Sequence, residues 1–124
     1  MVDQLEFVSG TFDPKNPQVK TFFDVRCRFI DGADTPRDYL ERCLNVIAER
    51  EPIVQAWVTL NIENARSAAD ESTARYKNGN AISPIDGMPV GIKDVLQTHD
   101  MPTTLGSPIF KDRYTGMDSA SVNA

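Results

Sequence analysis

The chain has 124 residues, 40% of them hydrophobic and 25% charged, with a net charge of -5 at pH 7. That length fits one domain of ordinary size. The acidic balance argues against nucleic acid as a partner, because phosphates call for a basic patch, and no apolar run approaches the ~20 residues needed to cross a bilayer. Met1–Gly10 carries Asp3 and Glu6 without a basic n-region, so no secretory leader is expected. Cys27 and Cys43 form no CxxC pattern and read as free thiols in a cytoplasmic protein.

Residues 1–16 mix polar and turn-forming types and predict an irregular arm. From there a first helix is expected, with Asn16 as N-cap and Pro17 at its first position. Val19, Phe22, Phe23, Arg26 and Ile30 would lie on one face, and Asp31-Gly32 would end it. The second helix is capped by Thr35 and begun by Pro36; Leu40, Cys43, Leu44 and Ile47 recur at helical spacing until Glu51-Pro52 stops it. Cys43 on that stripe reads as a small packing hydrophobe. Val54–Leu60 predicts a strand centred on Trp57, a core or sheet-packing aromatic because nothing polar converges on it.

Asn61 is the expected cap of a third helix that runs to about Lys77, with Gly79 just beyond. Its inward stripe is Ile62, Ala65, Ala69, Ser72 and Tyr76, small enough in part for docking on a sheet. Glu63, Arg66, Asp70, Glu71 and Arg75 read as a solvated face. Asn80–Asp86 is a loop, and His99, in the polar turn Gln97–Asp100, has no second His or Cys to make a metal site.

The run Gly87-Met88-Pro89-Val90-Gly91-Ile92-Lys93-Asp94 is where chemistry concentrates. Val90, Ile92 and Val95 favour a strand, while Gly87 and Pro89 fit its entry. In an extended run Gly91 and Lys93 share a face, and the missing side chain at Gly91 lets a substrate or another backbone approach the amine. A lysine desolvated beside apolar groups has a lowered pKa and becomes a usable base. The bland alternative is an edge-strand lysine that discourages wrong pairing. Asp94 either helps to position Lys93 or turns the loop by accepting backbone N–H bonds; adjacent strand residues face opposite ways, which favours the second.

The segment resembles the G-[IM]-P-[VIF]-[AGS]-[VI]-K-D run of the amidase signature family of amide hydrolases. The likeness extends to Val54–Leu60 with the Ala-rich helix after it, to Pro102-Thr103-Thr104-Leu105-Gly106-Ser107, similar to the family's T-x-G-S loop, and to Asp118–Val122, which resembles the start of its next helix. It covers about residues 35–124; residues 1–34 carry little of it. The resemblance implies an α/β fold, helices packed on an incomplete mixed sheet. It also implies a Ser–cis-Ser–Lys hydrolase in which Lys93 is the ultimate base and Thr103, Thr104, Gly106 and Ser107 line the approach to the substrate. No cofactor and no metal are implied.

The resemblance implies that both family serines, and the Gly-Gly-Ser-Ser-Gly-Gly segment whose N–H groups help form the oxyanion hole, lie beyond residue 124; no Gly-Gly-Ser-Ser run occurs in the 124 residues. Ser119 and Ser121 lack the glycine-flanked elbow of a nucleophile, and no Ser-x-x-Lys spacing is present. Only six residues follow Asp118, inside what reads as a helix. The expectation is an N-terminal fragment of an amidase that cleaves a carboxylic amide C–N bond in a small molecule, inactive on its own. The alternative from another class is a non-catalytic, self-associating module, since open sheet edges predict a homo-oligomer. A Schiff-base lysine enzyme is a third, lesser option.

Overall fold

The computed structural model describes residue 15 and residues 21–123. The expected arm and the expected first-helix start at Asn16 and Pro17 lie outside the described residues, apart from Lys15. Helix α1 spans Phe22–Ile30, entered from an extended Thr21 whose hydroxyl donates to Asp24 Oδ2 at 2.9 Å. It ends as expected at Asp31 and Gly32, the latter at φ +71°.

Helix α2 spans Pro36–Val54. Its start follows the sequence reading: Thr35 is extended, Pro36 occupies the first turn, and the Thr35 hydroxyl accepts the Asp38 N–H at 3.0 Å. Its end differs from the expected stop at Pro52. Proline forfeits one i→i−4 bond, but α2 absorbs this in its last turn, and Gln55 at φ +50° caps it through an N–H bond to the Glu51 carbonyl.

Helix α3 spans Ile62–Lys77, and Gly79 at φ +69° follows its C-terminus. The expected inward stripe holds, with Ala69 and Ser72 buried, but α3 packs on α2 rather than on a sheet. Phe29 of α1 joins them, its ring centroid 6.0 Å from that of Tyr39 on α2 and 5.4 Å from that of Tyr76 on α3. Phe29, Leu40 and Ala69 form the small hydrophobic centre of this three-helix assembly. Beyond α3 the described chain is irregular, with a 3₁₀ turn at Pro108–Phe110 and a short helix α4 at Ala120–Asn123.

The face of α3 expected to be solvated is exposed at Glu63, Asp70 and Glu71, but its Arg66 is tied to α2. Arg66 donates to both carboxylate oxygens of Glu41, at 2.8 and 3.0 Å, and Glu41 also accepts from Arg37 at 2.9 Å. Arg37 reaches Asp70 as well. The two guanidinium groups hold the Glu41 carboxyl at a pKa of about 2.

No strand forms among the described residues, which corrects the expected mixed sheet. Val54–Leu60 and Gly87–Leu96 have strand-like composition, yet neither finds a ladder partner here. A strand is defined by its neighbour's hydrogen bonds as much as by its own side chains. Val58 and Val90 are each 64% exposed, and Trp57, expected to pack in a core or on a sheet, is 39% exposed.

Candidate functional site

The lysine segment is fixed at its N-terminal end by a buried carboxylate. Asp86 accepts from Ser72 Oγ at 2.8 Å, from Arg75 Nε at 2.9 Å and Nη2 at 2.6 Å, and from the Ile82 N–H at 3.2 Å. Its carbonyl accepts the Tyr76 hydroxyl at 3.0 Å. The Arg75 guanidinium, helped by Ser72 and Ile82, outweighs burial and brings the Asp86 carboxyl to a pKa of about 2. Gly87 follows at φ +82°, and a Cβ there would stand 2.9 Å from both Pro36 Cγ and Ser72 Oγ. The residue must therefore be glycine for two separate reasons, its backbone angle and the closeness of α2 and α3.

Met88–Lys93 then crosses an open groove of about 790 Å³ between the helices and the irregular half of the chain. Leu44, Ile47, Trp57, Leu60, Val90, Ile92 and Lys93 are among the residues that line it. The indole lies over the glycine that shares the lysine's neighbourhood: a Cβ on Gly91 would be 3.2 Å from Trp57 Cη2. The free approach expected at Gly91 is thus taken by the chain's own tryptophan. Lys93 is exposed, and no side chain among the described residues hydrogen-bonds or ion-pairs with its ammonium. The dry surroundings expected for it are not built by these residues.

At the C-terminal end Asp94 turns back onto the Thr103–Ser107 loop. Its carboxylate accepts the Thr104 N–H at 2.6 Å, the Gly106 N–H at 3.1 Å and the Thr104 hydroxyl, while its carbonyl accepts the Leu105 N–H at 3.3 Å. The role of backbone acceptor, favoured by the sequence, is what the geometry provides. The Thr104 hydroxyl first, then the Thr104 and Gly106 N–H groups, hold the Asp94 carboxyl below its ordinary range. Thr103 and Thr104 are buried, whereas Gly106 is exposed and Ser107 half-buried. Ser107 Oγ caps the 3₁₀ turn through the Ile109 N–H.

Two further carboxylates close the irregular half: Asp118, at the expected start of a helix, and Asp100, of which the sequence carried no local sign. Asp100 accepts from Asn61 Nδ2 at 2.6 Å and Asn64 Nδ2 at 3.1 Å, so Asn61 occupies the cap position of α3 while its side chain is engaged elsewhere. Asp118 accepts the His99 N–H at 2.8 Å and faces its Nδ1 at 3.1 Å, and the pairing raises the His99 pKa. Asp118 therefore ties the His99 turn to the start of α4. Among the described residues no group of three His, Cys, Asp or Glu side chains is disposed to hold a metal ion.

A family model described as Amidase matches residues 38–124. A glutamyl-tRNA(Gln) amidotransferase subunit from Chloroflexus aggregans is 44% identical over 78 residues, which are 63% of this chain and 16% of that protein. The mitochondrial form from Macaca fascicularis is 34% identical over 92 residues, 74% of this chain and 17% of its own. The human mitochondrial counterpart is 33% identical over 88 residues, with 71% and 16% covered. The chain thus spans 16% or 17% of the length of these curated relatives. Among solved structures it is similar to a chain from the work "An unexpected vestigial protein complex reveals the evolutionary origins of an s-triazine catabolic enzyme". The TM-score is 0.77 at 24% identity, over 85% of this chain and 23% of that one, a likeness of fold alone.

Proposed function

The chain belongs to the amidase family, and from that premise we propose that it is the lysine-bearing part of an enzyme that hydrolyses a carboxylic amide C–N bond. A serine hydroxyl attacks the amide carbonyl and passes its proton, through a bridging serine, to the amine of Lys93. The C–N bond breaks as the leaving nitrogen takes up a proton, and water then cleaves the acyl-enzyme ester to regenerate the serine. Neither serine is present in the Gly-Gly-Ser-Ser form within these 124 residues. Both, together with the groups that dry the Lys93 amine, belong to the remainder of the whole protein.

The observation that carries this reading is the position of Lys93 inside the matched residues, on the wall of the groove, with its segment anchored at both ends. Thr103, Thr104, Gly106 and Ser107 are the proposed approach to the substrate. The same proposal divides the chain into an arm with the first helix, 1–34, and an amidase portion, 35–124. The relatives' names add a substrate class, the amide nitrogen handled by a glutamyl-tRNA(Gln) amidotransferase, and with it a setting of several different chains.

The test is amide turnover by the whole protein and by its Lys93→Ala variant. Loss of a positioned general base costs typically 10²–10⁴-fold, so a variant that keeps full turnover overturns the reading. The 124-residue chain alone, without nucleophile or oxyanion donors, is expected to be inactive on simple amides. Turnover by it that vanishes in Lys93→Ala would reverse that expectation.

A second reading, a self-associating module without chemistry, is favoured by the exposed apolar groups Val58, Leu60 and Val90 along the groove. It requires a dimer or larger species of the isolated chain; a monomer by light scattering at high concentration excludes it.

A further inference from the structure

We infer that Asp94 is a positioning residue for the base: by clasping the 104–106 loop it fixes where the neighbouring Lys93 stands relative to that loop. This rests on the reading of Lys93 given above and extends it to a residue whose carboxylate is spent on the 104–106 loop.

The lysine cannot position itself. Its side chain is long and rotamer-rich, and among the described residues nothing hydrogen-bonds its ammonium. The stretch Met88–Lys93 has no ladder, so beyond the Trp57 contact at Gly91 its course is set by its two ends. Asp86 and Gly87 secure the first end to α2 and α3.

The second end depends on one residue. Every hydrogen bond among the described residues between 87–96 and 103–107 is made by Asp94: three to its carboxylate and one to its carbonyl. The Lys93 carbonyl, one peptide bond away, accepts the Leu96 N–H at 2.8 Å and completes the turn. The loop that receives the clasp is itself costly to hold. Leu105 sits at φ +54°, a left-handed angle that a branched residue rarely adopts, and Gly106 follows at φ +69°. The donors at Thr104, Leu105 and Gly106 converge on one residue only in that conformation. A carboxylate is the acceptor-only group that can meet an O–H and two N–H donors together. An asparagine would turn an N–H₂ toward at least one of these donors.

Placement at this level governs rate, because a shift of about 1 Å in a reacting group costs up to 10²-fold. The experiment is steady-state amide hydrolysis by the whole protein, comparing wild type, Asp94→Asn, Thr104→Val, Thr104→Ser and Lys93→Ala. Asp94→Asn is expected to lower kcat about 10- to 100-fold with KM within about threefold. Thr104→Val, which removes a single bond, lowers kcat several-fold with KM within about threefold, and Thr104→Ser, which keeps both donors, loses less than Thr104→Val. A fold-only role would not follow this hydroxyl rescue. If Asp94→Asn fails to fold, the Val/Ser pair at Thr104 decides alone. Loss of turnover in Lys93→Ala, with kcat unchanged in Asp94→Asn or equal in the two Thr104 variants, overturns the positioning role and leaves the base reading standing. Full turnover in Lys93→Ala overturns both.

Discussion

The indole of Trp57 closes over Gly91, so near that a Cβ on Gly91 would lie 3.2 Å from Cη2 and 3.6 Å from Cζ3. Two stretches with strand composition, neither paired in a ladder among the described residues, meet at this contact. It joins the linker after α2 to the segment that carries Lys93.

Gly91→Ala is therefore expected to push the ring outward. The indole is 39% exposed and can give way, so the cost stays near the low end of overpacking, about 1 kcal/mol. Because Trp57 is the single tryptophan, its emission maximum reports the event directly. A red shift is expected in the alanine variant, and unchanged emission would refute the contact.

Gly87→Ala faces a harsher site. The left-handed angle and the 2.9 Å approach to Pro36 and Ser72 act together, for roughly 2–5 kcal/mol of lost stability. Gly79→Ala is the control: its φ is +69° but nothing lies within 4 Å, so only the angle costs, about 1–2 kcal/mol. Urea midpoints of the two variants should differ in that order.

Asp86 makes stability depend on acid. Its folded pKa of about 2 lies below the unfolded value near 3.9, so the contribution is complete above about pH 4 and is lost as the pH falls toward 2. The shift corresponds to about 2–3 kcal/mol. Asp86→Asn should lower stability at pH 7 and flatten that part of the urea-midpoint profile between pH 5 and 2. Glu41 titrates in the same window and supplies the residual slope.

His99 behaves in the opposite sense. The Asp118 carboxylate beside it raises its pKa, so the stabilisation is complete below about 6.5 and is lost as the pH rises through the folded value. As the only histidine, it gives one imidazole resonance to follow by NMR. Asp118→Asn is expected to return that titration toward the ordinary range, and an unchanged midpoint would dismiss the pairing.

The two thiols should react in sequence. Cys27 is exposed, whereas Cys43 is half-buried, and burial pushes its thiol pKa up. Labelling with a thiol reagent at pH 8 is expected to be biphasic, with Cys27→Ser removing the fast phase.

What could be read from sequence was what neighbours in the chain decide. Thr35 and Pro36 start α2 because a cap and a fixed φ act within one turn, and Asp94 was legible as a backbone acceptor for the same reason. The strand expectation at Val54–Leu60 and Gly87–Leu96 failed in the described residues because β-structure needs a partner backbone. The solvated face of α3 holds at Glu63, Asp70 and Glu71 but not at Arg66 and Arg75, which find carboxylates 25 and 11 positions away. Lys93 and its loop stood out through motif likeness, whereas Asp86 and Asp100 had no local pattern to announce them.

A ribbon pinned at Asp86 on one side and at Asp94 on the other also counts its own residues. One residue more between those pins has nowhere to go but outward, carrying the amine with it, and one fewer would pull a pin loose. Substitutions within Met88–Ile92 can be absorbed, but a change in the number of residues cannot. The reach of the amine is thus measured out by chain length as firmly as by any contact it makes.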